Sequence, residues 1–167
     1  EVTREERFFC AHLFYLIRQE GLTGFVSHLN DKYGASLPVE TNWELAYEAC
    51  FYRDLWHLRG KKGPLFSPKR TFDLCLFSDD VIVVIEAKAH QSFDEEQLDS
   101  FEKDKTQLVK ETGVSTVLLS GLASSRYDIP QRIRSSFNGP YMTWAELAEH
   151  YGNDAILNRA DEVFAVY

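Results

Sequence analysis

Five consecutive β-branched residues, Val81-Ile82-Val83-Val84-Ile85, run directly into Glu86-Ala87-Lys88. Branched side chains are stiff in a helix and pack well on a pleated surface, so this run specifies a β-strand. No apolar run in the chain is longer, and five residues fall far short of the roughly 20 needed to cross a bilayer as a helix. Arg70 to Phe77 is a second apolar stretch, joined to the first by Ser78-Asp79-Asp80. Together they read as a β-hairpin. A turn centred between Asp79 and Asp80 sets Asp73 directly opposite Glu86.

Around the hairpin the period changes to that of helices. Thr3 with Glu6 forms a capping box ahead of Phe9, Leu13, Leu16 and Ile17, and Gly21 closes the segment. A short helix is expected over Thr23 to Asn30. Thr41 with Glu44 predicts a further helix to about Leu58, followed by a loop rich in Gly, Lys and Pro. Ser92 with Glu95 opens a helix to about Lys110, and Val114 to Ser120 reads as a buried strand. Gly121 to Pro140 is loop-rich, with one helical turn near Gln131 to Ser136. Thr143 with Glu146 caps a helix ending at Gly152, and Asn153 caps a last one. Helices flanking a small mixed sheet make the expected class α/β (α+β), as a single domain over residues 1–167.

Lys and Arg number 18 against 26 Asp and Glu, a net charge of -8, which argues against a general coating of nucleic acid. The charge is uneven. Arg59, Lys61, Lys62, Lys69 and Arg70 lie in a stretch without a single acid. A basic loop on an acidic body suits a polyanion at one face, or simply solvent. Cys10, Cys50 and Cys75 are far apart and embedded in apolar runs, neither a disulfide framework nor a zinc site. They read as buried thiols of a reducing compartment, hence a cytoplasmic protein with no membrane segment.

The chemistry concentrates on the hairpin. Glu86 and Lys88 are two apart on a strand and share a face with Ile82 and Val84. Facing carboxylates, Asp73 and Glu86, repel across a ladder and pay desolvation in an apolar sheet. Lys88 offers one positive charge. A divalent ion supplies the rest, and carboxylate oxygens suit Mg²⁺ or Mn²⁺. A structural ion pair at a sheet edge is the plain alternative.

With Thr71-Phe72-Asp73-Leu74 followed, across the turn, by Ile85-Glu86-Ala87-Lys88, the chain resembles the PD-(D/E)xK nuclease superfamily, the restriction-endonuclease-like fold. The likeness covers about residues 43–120. It implies that Asp73, Glu86 and the Ala87 carbonyl hold one or two Mg²⁺ or Mn²⁺ ions, with Lys88 orienting a water or neutralising the transition state. Gln97, in the first turns of the next helix, matches a Gln that many members carry beside the Lys. Glu48, expected in mid-helix, matches the helical acid that families of this fold add as a metal ligand. Glu5 and Glu6 are rivals better explained by the helix dipole. Arg53, Lys61, Lys62, Lys69 and Arg70 are candidates for phosphate contacts. The superfamily core carries three strands before the helix that follows the Lys. Only two are visible here, leaving the third to the segment near Lys62 to Phe66 or to a replacing loop.

The implied activity is metal-dependent hydrolysis of nucleic acid, DNA ahead of RNA, by a homodimer or a larger complex. The alternative is a catalytically silent module of the same fold that docks nucleic acid or protein. Other chemistries lack their signatures. The five histidines show no metal-ligand spacing, although His90 follows the hairpin closely; no G-x-S-x-G elbow and no phosphate-cradling glycine loop occur.

Overall fold

The computed structural model describes residues 2–54 and 71–164. Helices α1 (Val2–Glu20) and α2 (Leu22–Tyr33) lead into strand β1 (Glu44–Ala49) and the single-turn helix α3 (Phe51–Asp54). The hairpin β2 (Phe72–Phe77) and β3 (Val81–Ala87) follows, then α4 (Glu95–Thr112) and β4 (Thr116–Ala123). The chain ends in α5 (Gln131–Arg134), β5 (Tyr141–Thr143), α6 (Trp144–His150) and α7 (Ala155–Glu162). The strands form one sheet in the order β1-β2-β3-β4-β5. The first three are antiparallel, and β3, β4 and β5 run parallel. This is a mixed α/β architecture.

β3 is central, and all seven of its residues are buried. Its β-branched side chains divide between two apolar layers. Val81, Val83 and Ile85 join Leu74 and Leu76 beneath Phe9, Leu13 and Ile17 of α1 and Trp144 of α6. Ile82 and Val84 join Cys75 and Leu119 beneath Leu98, Phe101 and Leu108 of α4. Each fully buried Leu, Ile or Phe contributes roughly 1.5–3 kcal/mol against the entropy of ordering the chain. The hairpin register pairs Leu74 with Ile85 and Cys75 with Val84, as the turn predicts, and carried one step on it sets Asp73 against Glu86.

The largest difference from expectation lies at residues 41–58. Glu44 to Ala49 is a strand, pairing antiparallel with β2 from Glu44↔Phe77 to Ala49↔Phe72, and only Phe51–Asp54 is helical. Ala, Leu and Glu are good helix formers, but propensity amounts to less than about 1 kcal/mol per residue, and the ladder of hydrogen bonds offered by an open hairpin edge outweighs it. The strand absent from the sequence reading is therefore here. The segment near Lys62 to Phe66 falls outside the described residues.

Smaller shifts follow from capping. Asp94, not Ser92, caps α4, its carboxylate accepting from the Glu96 N–H. Asp154, not Asn153, caps α7. The Thr143–Glu146 capping box forms as its spacing requires. β5 was not foreseen; it packs where Gly121 leaves room, since a Cβ there would lie 2.7 Å from the Tyr141 ring. All three cysteines are buried free thiols. Among the described residues no helix is long and apolar enough to cross a membrane.

Candidate active site

β3 ends where α1, β2, β4 and α6 converge, and four hydrogen bonds hold its last residues. The Ala87 N–H donates to the Asp73 carboxylate at 2.8 Å. The Lys88 N–H donates to the Leu122 carbonyl of β4 at 2.8 Å, one step beyond the ladder pair Ala87↔Leu122. The Lys88 carbonyl accepts the indole N–H of the fully buried Trp144 at 2.9 Å. The Ala89 N–H donates to the Glu6 carboxylate of α1 at 2.9 Å. A buried strand end needs such partners, because an unpaired backbone group there costs about 1–3 kcal/mol.

Over this backbone sits a cluster of charge. The Lys88 Nζ lies 3.4 Å from Glu86 Oε1 and 3.9 Å from Glu6 Oε1, and each of the three side chains is at most 15% exposed. Burial lowers the Lys88 ammonium, but Glu86, Glu6 and Asp73 together outweigh it and raise its pKa, so it stays charged. Asp73 moves the other way from an ordinary carboxylate. Desolvation, reinforced by Glu86, pushes it well up, and neither the Ala87 N–H nor Lys88 restores it. Among the described residues, three carboxylates, Asp73, Glu86 and Glu6, act on the Lys88 ammonium.

Asp73, Glu86, Ala87 and Lys88 thus come together as the spacing predicts. Other expected site residues do not join them. Glu48 is on β1, beside Asp73 in the register, but takes φ 51° and turns its carboxylate to Arg7 at 3.0 Å. The helix predicted from Thr41 with Glu44 does not form around it, because Glu44–Ala49 pairs with β2 as a strand. Gln97 is exposed on α4, one position off the buried face of Leu98, Phe101, Asp104 and Leu108. Its carbonyl accepts the Ser100 hydroxyl. Arg53 binds Asp54 at 2.6 Å and the Glu48 carbonyl at 3.1 Å. Lys61, Lys62, Lys69 and Arg70 fall outside the described residues.

Glu6, not Glu48, is the helical acid that lies near Lys88. A signal for it was present: Glu6 shares a helical face with Phe9, Cys10, Leu13 and Ile17, and an acid on a buried stripe needs a partner. Beside it, Glu5 accepts from His90 at 3.0 Å and pairs with Arg159, which holds its carboxyl low. His90 is therefore tied back to α1. The buried Asp161 is a structural carboxylate, accepting from Ser125 N–H at 2.7 Å, Ser125 Oγ at 2.6 Å and Ala145 N–H at 3.1 Å.

No protein-family model, curated protein or solved structure matches this chain. The site is read from its own residues.

Among the described residues no three His, Cys, Asp or Glu side chains converge as a ready-made metal cage. Mg²⁺ takes one or two carboxylates and completes its shell with waters and substrate phosphate, so such a cage is not required of this site. The donors present are hard oxygens: Asp73, Glu86 and the Ala87 carbonyl. The Asp73 carboxyl is raised by burial first and by the facing Glu86 second. A small divalent cation fits both observations.

Proposed function

We propose that this protein is a divalent-metal-dependent phosphodiesterase acting on nucleic acid, with Asp73, Glu86 and Lys88 at the reacting centre. One observation carries the reading. Asp73 and Glu86 come opposite each other at a buried strand end, and the Lys88 ammonium beside them is shared with a third carboxylate, Glu6. The order of elements supports it. After α1 and α2, the antiparallel strands β1, β2 and β3, with the single turn α3 between the first two, precede α4 and the parallel strand β4. This matches the three strands that a PD-(D/E)xK core carries before the helix that follows the Lys. The third strand, β1, supplies the part absent from the sequence reading.

Asp73, Glu86 and the Ala87 carbonyl would hold Mg²⁺ or Mn²⁺, which when bound supplies Lewis acidity and lowers the pKa of a coordinated water. The chain's own residues do the rest. Asp73 is tethered through one carboxylate oxygen to the Ala87 N–H. Lys88 remains an ammonium and places positive charge where a phosphate oxygen gains charge in the transition state. Trp144 and Leu122 fix the Lys88 backbone, so the ammonium does not drift. Glu6 holds Ala89 and balances Lys88 in the absence of substrate.

DNA is the first substrate to test, and the basic stretch from Arg59 to Arg70 is the candidate for its backbone. A homodimer would serve cleavage of both strands. The three buried thiols accord with a reducing, cytoplasmic setting.

The test is thermal unfolding with and without millimolar Mn²⁺ on the wild type and Asp73→Ala, with cleavage of plasmid and of single-stranded DNA and RNA on the same samples. A metal that binds only the folded chain raises Tm by several degrees once well above its Kd. The expected result is stabilisation and cutting by the wild type and neither by the variant. Metal stabilisation without cutting of any nucleic acid would leave a silent binding module. No metal effect and no cutting would overturn the site as well.

A further inference from the structure

Helix α1 separates its charges. Its described acids are all paired: Glu5 with Arg159 and His90, Glu6 with Lys88 and Ala89, and Glu20 with His150 and Tyr151. On the opposite side, Arg4, Phe8, Ala11, Tyr15 and Arg18 are all exposed. At 3.6 residues per turn they fall within about 80° of arc, one straight stripe along the helix. The stripe reads cation, aromatic, small, aromatic, cation. Phe8 and Tyr15 are each 54% exposed, large rings left in water by a fold that buries its other bulky side chains well. Arg7 flanks the stripe, paired with Glu48.

We infer that this stripe binds single-stranded nucleic acid, with bases stacked on Phe8 and Tyr15 and phosphates on Arg4 and Arg18. It deepens the phosphodiesterase reading by naming the substrate class. Charge complementarity selects the partner, because on a chain of net charge -8 this face shows arginines and no acid of α1. The aromatic rings select the strand form. Every base has a π-face that stacks on an aromatic ring, but in a duplex those faces are already covered. The seven helical steps from Phe8 to Tyr15 rise about 10 Å, close to three steps of a stacked strand at ~3.4 Å each. Ala11 leaves the span between the rings clear. The small residue and the two rings make a shallow track, and the arginines close its ends.

The experiment is fluorescence anisotropy with labelled oligothymidylate, oligouridylate and a mixed-sequence duplex, in chelator so that cleavage plays no part. The full chain is compared with Phe8→Ala/Tyr15→Ala, Arg4→Gln/Arg18→Gln and Phe8→Trp. Wild type should bind one or both single strands more tightly than the duplex; the two single strands distinguish DNA from RNA as the source. Losing both rings should weaken binding about a hundredfold, at roughly tenfold per stacked base. Losing both arginines should flatten the log–log salt dependence by about 1.4, and Phe8→Trp should retain affinity. These side chains are exposed, so the variants should melt close to the wild type.

Equal affinity for duplex, or single-strand binding indifferent to Phe8 and Tyr15, overturns the inference. So does sedimentation showing that the stripe joins two copies of the chain and that Phe8→Ala/Tyr15→Ala separates them. The outcomes stay distinct from those of the catalytic reading. Strand binding on α1 without cleavage in Mn²⁺ upholds the stripe and removes the phosphodiesterase. Cleavage with KM unchanged by Phe8→Ala/Tyr15→Ala upholds the phosphodiesterase and removes the stripe.

Discussion

The carboxylate of Glu6 accepts the backbone N–H of Ala89 at 2.9 Å, across 83 residues of chain, and its other oxygen lies 3.9 Å from the Lys88 ammonium. One side chain of α1 therefore both closes the end of β3 and contributes charge to the candidate site. Glu6→Gln keeps the acceptor and loses the charge, whereas Glu6→Ala loses both. The Ala variant should be destabilised by about 1–3 kcal/mol, the usual consequence of stranding a buried N–H. The Gln variant should unfold within about 1 kcal/mol of wild type yet cleave nucleic acid at least tenfold more slowly. Urea unfolding and a cleavage time course separate the two roles, and a fully active Glu6→Gln would confine Glu6 to structure.

Glu48 should behave differently. It sits beside Asp73 in the register but at φ 51°, with its carboxylate on Arg7 in an exposed pair. Exposed pairs contribute about 0–1 kcal/mol, and Asn tolerates the left-handed conformation better than Glu. Glu48→Asn should leave stability within about 0.5 kcal/mol of wild type and leave cleavage unchanged. A large loss of cleavage would return Glu48 to the site.

Trp144 reaches the site only through the backbone, donating its indole N–H to the Lys88 carbonyl at 2.9 Å. Trp144→Phe keeps an aromatic ring in the core and removes the donor. Stability should fall by about 1–3 kcal/mol for the stranded carbonyl and the lost ring volume. If the bond positions Lys88, kcat should fall while KM holds. Equal changes in both would mark Trp144 as a core residue alone.

The half-buried Asp73 sets a pH dependence with an unusual sign. Its folded pKa is raised by desolvation and by Glu86, whereas an unfolded Asp ionises near pH ~3.9. Between those values the unfolded chain has released a proton that the folded chain keeps, so stability falls as pH rises through the window. Asp73→Asn removes that slope. Without divalent ions it should be the more stable protein at neutral pH, with the gap narrowing toward about pH 4. Denaturation in chelator across that range measures it; a variant less stable than wild type at neutral pH would contradict the burial argument.

His28 acts in the opposite direction. Its ring stacks on His150 at 3.7 Å and its Nε2 is buried without a partner. Burial first, then His150, lowers its pKa. Below the ordinary value of ~6.5 the unfolded chain takes up a proton that the folded chain resists, so stability is lost as pH falls through that value. His28→Phe keeps a ring against His150 and should lessen the loss on the acid side. An unchanged acid limb in denaturation would place the sensitivity elsewhere.

Much of the site was legible locally. Five β-branched residues in a row leave β3 no competing state, and the three-residue turn Ser78-Asp79-Asp80 sets the register that brings Asp73 to Glu86. The two-residue spacing of Glu86 and Lys88 puts them within 3.4 Å. Capping chemistry behaves likewise, since Thr143 and Glu146 satisfy each other's backbone groups within a single turn.

Long-range contacts decided the remainder. Glu44 to Ala49 has residues suited to either state, and it is a strand because β2 presents an open edge at the matching register. The choice among Glu6, Glu48 and Gln97 depends on how α1, β1 and α4 pack against the sheet. A spacing rule reports only which residues of one element share a face. It carries no information on which face will lie over the end of β3, because that follows from apolar layers assembled from segments far apart in the chain. The sequence by itself therefore determined the hairpin and its two facing carboxylates. Only the tertiary structure, by folding α1 across the end of β3, decided that Glu6 joins Glu86 beside Lys88.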